Sequence, residues 1–272
     1  MTRLADFDVR SCGSRYGSVN AKESTKVYIA KPADYPHAPS KLLLLLTGGT
    51  GVKSVNNQLQ ADRFAAEGFL VIVPDQFDGD SAPQITPEPT SPTQLSFLER
   101  LKLGITDTAK SFMIDMWLAR QTPEKIMPRL LKIIESVKEE FADAVANGGG
   151  IYAVGYCIGA KFVLLLAGEH PKDVPWGPAN TEDAQEAEMV KRDPVIKAGA
   201  IAHAAQVYPD DIAAVKTPIL LICVQNDPLF PDEVRQTGVE TLEKNQVQHE
   251  VKVYPEVPHG INPSSTLCPT LG

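Results

Sequence analysis

Short, almost wholly apolar runs recur along this chain, separated by longer segments of helical character. Leu42 to Leu46 is an unbroken leucine run, and Phe69 to Val73 reads FLVIV before stopping at Pro74. Ile151 to Gly155, Lys197 to His203, Ile219 to Gln225 and Glu250 to Tyr254 repeat the pattern, and Thr25 to Ala30 (TKVYIA) precedes them. A strand with one wet face alternates apolar and polar residues. A continuous apolar run of this length reads instead as a strand buried on both faces. Such strands lie side by side in a parallel sheet, which needs crossover helices above and below. The expected fold class is therefore α/β, a doubly wound, mainly parallel sheet. Asn56 to Glu67 is an expected crossover helix, with Leu59, Phe64 and Ala65 on its inner side.

At 272 residues the chain is expected to form one domain, 1–272. A hydrophobic share of 43% and a charged share of 22% exclude a disordered or fibrous chain. The formal net charge is −8 and no basic block is present, so neither nucleic acid nor an anionic membrane surface is an expected partner. No apolar run approaches a membrane span, and Met1 to Arg10 has no apolar stretch of the signal-peptide kind. Cys12, Cys157, Cys223 and Cys268 form no CxxC pair, so no zinc site and no disulfide framework are expected. Free thiols fit a cytoplasmic setting.

Two regions interrupt the alternation. Ser81 to Pro92 holds Pro83, Pro87, Pro89 and Pro92 and reads as a loop. Thr122 to Asn147 reads as a long helix, ended by Gly148-Gly149-Gly150, with a kink or break near Met127 caused by Pro128. Between them, Phe97 to Arg120 is rich in Phe, Met, Trp and Leu. Residues 81–130 thus form a loop-and-cap excursion, its apolar part either covering a pocket or packing as ordinary core.

The chemistry centres on Gly155-Tyr156-Cys157-Ile158-Gly159, between the strand IYAV and the apolar helical run FVLLLAG. This is the G-x-S-x-G nucleophile elbow with cysteine in place of serine. The nucleophile sits on a tight strand-to-helix turn, where residues two before and two after it must be glycine-sized. The helix N-terminus supplies positive partial charge beside the sulfur, which favours thiolate. A lone buried cysteine is otherwise an inert core thiol. Asp227 follows the strand ILLICVQ in Asn226-Asp227-Pro228, and His259 follows EVKVY in Pro258-His259-Gly260. Alone, Asp227 reads equally as a turn former or helix cap, and His259 as a polar loop residue. Together they give the order nucleophile, acid, histidine at the carboxyl ends of strands, where open α/β sheets bind ligands.

These marks carry a resemblance to the dienelactone hydrolase family, of the α/β-hydrolase superfamily. The matching stretches are TGGTGVKSVNNQLQADRFAAEGFLVIVPDQFDGD, IYAVGYCIGAKFVLLLAGEH, AGAIAH, ICVQNDPLFPDEV and EVKVYPEVPHG. The DMWLAR segment before the long helix resembles the fungal branch. The resemblance implies a sheet of the α/β-hydrolase type and hydrolysis of a small ester or lactone, without a cofactor. Cys157 would be the nucleophile, His259 the general base and acid, and Asp227 the residue that orients His259. Water would then hydrolyse a thioester acyl-enzyme. Gly48 stands where many members carry a carboxylate. Gly48 and Gly49 suit an oxyanion hole instead, with Ile158 N–H as the second donor. Thr50, Tyr156 and His203 are expected to line the substrate pocket, though His203 also fits a plain strand-end histidine. Thirteen residues follow His259, with Pro263 and Pro269 among them. The family's usual C-terminal helix is therefore expected to be missing, which leaves a face near the last strand open to self-association.

Other signals lead elsewhere. Gly48 to Ser54 (GGTGVKS) lacks the glycine that a phosphate loop needs before its lysine. Asp75, Asp78 and Asp80 do not have EF-hand spacing and read as a metal cluster or a solvated turn. No metal site is expected. The rival functional class is a non-catalytic member of the fold that binds a small molecule or a protein partner.

Overall fold

The computed structural model describes residues 15–19, 25–83, 108–171 and 191–260. Its centre is an eight-stranded sheet. The strands are β1 (Arg15–Val19), β2 (Thr25–Ala30), β3 (Lys41–Leu46), β4 (Phe69–Pro74), β5 (Ile151–Tyr156), β6 (Ala198–Ala202), β7 (Ile219–Val224) and β8 (His249–Tyr254). Their spatial order is β1-β2-β4-β3-β5-β6-β7-β8. β2 runs antiparallel to both β1 and β4, and every pairing from β4 to β8 is parallel.

The leucine run shows why the sheet must be covered twice. Leu42, Leu44 and Leu46 join the larger core cluster on one face, while Leu43 and Leu45 join the smaller cluster on the other. The larger face receives α3 (Pro123–Glu140) and α5 (Ile158–Ala167), and the smaller face receives α1 (Val55–Ala66). The other helices are α2 (Thr108–Arg120), α4 (Ala142–Gly148), α6 (Pro209–Ala213) and α7 (Asp232–Lys244). Strand order reverses between β3 and β5, which opens a crevice at their carboxyl ends.

Three expectations need correction. Pro128 lies inside α3 without ending it, and the break falls at Phe141, between α3 and α4. Ile126, Met127, Leu130, Ile133, Ile134 and Val137 are all buried along one face of α3, and this packing outweighs one missing hydrogen bond. On α1 the inward face is Ala61 and Ala65, with Phe64 packed beside them, while Leu59 is exposed. The residues four apart face the strands, and Leu59 is about 200° round the helix from Ala61. The last strand is also less apolar than expected, because Glu250 and Lys252 are exposed and paired at 3.1 Å. Charged edges of this kind discourage strand-to-strand association.

α2 divides the two readings of the apolar excursion. Ile114, Trp117 and Leu118 are core residues, and Phe112, Met113 and Met116 are exposed. The proline-rich stretch beyond residue 83, Cys12, Cys268 and the segment after Gly260 lie outside the described residues. No helix among the described residues is long and apolar enough to cross a membrane.

Candidate active site

Cys157 ends β5 and caps α5 with φ 54° and ψ −123°, a backbone conformation that β-carbon-bearing residues rarely adopt. The flanking glycines show why the turn can be so tight. A Cβ on Gly155 would stand 2.6 Å from Gly159 O, and one on Gly159 would stand 2.7 Å from Thr47 O. No larger side chain fits either place. The turn is further tied by Cys157 N–H donating to Ala202 O at 3.1 Å and by Ala205 N–H donating to Cys157 O at 3.1 Å.

Asp227 follows β7, and His259 follows β8. Asn226 takes the left-handed conformation (φ 55°), which asparagine tolerates, and turns Asp227 inward. One Asp227 oxygen accepts from Leu229 N–H at 2.9 Å, and the other lies 2.5 Å from His259 Nδ1. Both side chains are buried. Burial alone would lower the His259 pKa. The bond to Asp227 and the neighbouring Cys157 sulfur outweigh it and raise the value to about 9. His259 Nε2 is buried and makes no hydrogen bond of good geometry with the described residues.

The turn after β3 completes the cleft. A Cβ on Gly48 would stand 3.2 Å from Cys157 Cβ, so this backbone lies against Cys157. The carbonyls of the turn are occupied. Thr47 O accepts from Gln76 Nε2 at 3.2 Å, Gly48 O from Gly51 N–H at 3.1 Å and Gly49 O from Ala82 N–H at 2.8 Å. The N–H groups of Gly48, Gly49 and Ile158 have no partner among the described residues. Thr50 Oγ1 accepts from Asn57 Nδ2 at 3.0 Å, which fixes the far side of the turn.

His203 lies edge-on to His259, with ring centroids 5.0 Å apart, and 5.8 Å from the Tyr156 ring. Burial and the charge of His259 push its pKa down to about 3, so His203 stays neutral. Cys223 is a buried thiol pushed up to about 11 by burial, which makes it unreactive. The aspartates after β4 serve structure. Asp80 pairs with Lys125 at 3.2 Å and Asp78 with Arg129 at 2.7 Å, fastening α3 to the sheet edge. Among the described residues no three His, Cys, Asp or Glu side chains cluster to hold a metal.

Two polar residues near the cleft escape a reading of sequence alone. Lys161 stands in the apolar run of α5, where a helical lysine is expected to face water. Instead it is buried, pairs with Asp211 at 3.0 Å and donates to Gln206 O at 2.9 Å. This pins the loop after β6 beside the elbow. Gln76, in an acidic turn, carries no local signal at all.

An elbow after β5, an acid after β7 and a histidine after β8 on this sheet define an α/β-hydrolase fold. A model of the dienelactone hydrolase family matches residues 25–266, and the chain belongs to that family, a hydrolase of carboxylic ester or lactone bonds. It is 25% identical to the hydrolase pyvD of Aspergillus violaceofuscus over 91% of this chain and 80% of that one. It is 24% identical to dienlactone hydrolase 1 of Gibberella moniliformis, over 91% and 78%. Among solved structures, a thermophilic esterase of Thermogutta terrifontis superposes with a TM-score of 0.60 at 12% identity, covering 91% of this chain and 83% of that one.

Proposed function

We propose that the protein hydrolyses small esters or lactones through a Cys157–His259–Asp227 triad and a thioester intermediate. The observation that carries this is His259, held by Asp227 on one side with the Cys157 sulfur as its neighbour on the other. An imidazole held by a carboxylate beside a cysteine can keep the proton that the thiol gives up, which leaves a sulfur nucleophile. The sulfur attacks the carbonyl carbon, and the carbonyl electron pair moves to oxygen. The N–H groups of Ile158, Gly48 and Gly49 are free to hold that oxyanion. As the tetrahedral intermediate collapses, the C–O bond breaks and His259 protonates the leaving alkoxide. In a lactone that alkoxide stays tethered to the acyl group. His259 then takes a proton from water, which attacks the thioester and releases the acid and the thiol. Thr50, Tyr156 and the neutral His203 line the substrate side. The fungal relatives, a hydrolase and a dienlactone hydrolase, support hydrolysis of an ester or lactone.

The test is iodoacetamide labelling at neutral pH together with turnover of aryl esters and small lactones. Stoichiometric labelling of Cys157, and loss of turnover in Cys157→Ala at an unchanged melting temperature, are expected. Full turnover in that variant would remove the cysteine mechanism. An unlabelled Cys157 with no turnover on any ester would favour the non-catalytic binding protein.

A further inference from the structure

The elbow and the oxyanion turn are separate pieces of chain, and a third residue joins them. Gln76 lies just beyond β4, is 1% exposed, and donates from Nε2 to Thr47 O at 3.2 Å. A side-chain amide placed against a carbonyl must present its N–H, so the orientation of the Gln76 amide is fixed by its partner. Its Oε1 is buried with no partner among the described residues, as is Thr47 Oγ1. An amide left half-satisfied in a core costs stability, which a leucine of similar size would not. Gln76 is therefore poorly explained as a packing residue.

The peptide geometry supplies another role. Thr47 C=O and Gly48 N–H belong to one planar trans unit and point in opposite directions. Fixing the carbonyl fixes the N–H. The same Thr47 oxygen is bounded on its other side by the elbow, since a Cβ on Gly159 would stand 2.7 Å from it. Glycine at 48 leaves this peptide free to rotate, because no Cβ restrains the backbone there. Without Gln76, the turn that carries the Gly48 and Gly49 N–H groups would lose this anchor.

We propose that Gln76 is a positioning residue for transition-state stabilisation: by holding Thr47 O it fixes the turn whose N–H groups at Gly48 and Gly49 would meet the oxyanion. This rests on the triad mechanism above. Gln76 touches no reacting atom, so it acts on the tetrahedral state and not on the thiol.

The experiment uses the full chain with Gln76→Met and Gln76→Leu, both of which keep the site filled and remove the donor. Turnover of an aryl ester is compared with the rate of Cys157 alkylation by iodoacetamide. Alkylation displaces iodide at a saturated carbon and forms no oxyanion. Deleting an oxyanion donor outright costs about 10²–10³-fold in kcat. Misaiming one is expected to lower kcat by roughly 10- to 100-fold, with KM and the alkylation rate within about twofold of wild type. Unchanged kcat in a folded variant overturns the proposal. So does an equal fall in kcat and alkylation rate, or loss of the fold in both variants, either of which makes Gln76 structural. Failure of the triad itself reads differently: wild type would then turn over no ester, or would keep its turnover in Cys157→Ala.

Discussion

Cys157 stands at the middle of the sheet and His259 at its rim. β5 is flanked by β3 and β6, and the elbow is held by steric exclusion between Gly155, Gly159 and the backbone of the β3 turn. Among the described residues β8 pairs only with β7, and Glu250, Lys252 and Val253 along it are exposed. What holds His259 is a buried hydrogen bond to Asp227. Cys157 is thus placed by backbone shape, and His259 by one charge-assisted contact. Substitutions that add atoms should harm the first half, and those that remove charge should harm the second.

The largest effect is expected at Gly159. A methyl group there must push into Leu46 and Thr47 backbone, which cannot retreat without moving β3. Gly159→Ala should cost more than about 3 kcal/mol in a denaturant titration and take turnover below detection. Retained stability would mean that the elbow is softer than its contacts imply.

Asp227→Asn should spare the fold and lower turnover by up to about 10⁴-fold. It should also move the pH profile. In wild type His259 loses its proton as pH rises through about 9, and under the proposed mechanism activity should fall there. Replacing Asp227 removes two causes that raise this value and leaves burial, which lowers it. The alkaline limb of kcat/KM should therefore shift downward. A limb that stays near 9 would assign it to another group.

The smallest effect belongs to the rim. Val253 is 39% exposed on β8. Val253→Lys should change stability by no more than about 0.5 kcal/mol and leave turnover intact. Sedimentation of the same variant tests self-association through this edge, since a new charge there would dissociate such an assembly.

The sheet was legible because its strands are buried on both faces, so that burial alone writes them as apolar runs. The elbow was legible because its constraint is local: two glycines, a strand before and a helix after. β1 escaped because RYGSV has no pattern that separates it from a loop. α3 misled because Pro128 is a local signal, while the buried face that overrides it is collective. Gln76 and Thr47 are 29 residues apart, and Lys161 and Asp211 are 50 apart. Neither pair leaves a trace in composition or spacing, since each depends on which loops the sheet order brings together.

Trp117 packs on the turn that faces Cys157. A Cβ on Gly49 would touch its ring at 3.3 Å, and its indole N–H donates to Asp80 O at 2.8 Å. Phe77 lies edge-on to it at 5.1 Å. The indole is thus a built-in fluorophore seated against the oxyanion turn. The chain's other tryptophan, Trp176, lies outside the described residues. A displacement of the Gly48–Gly49 backbone would change the surroundings of Trp117 directly, so a ligand that shifts this turn should announce itself in the emission, even when the ligand has no colour.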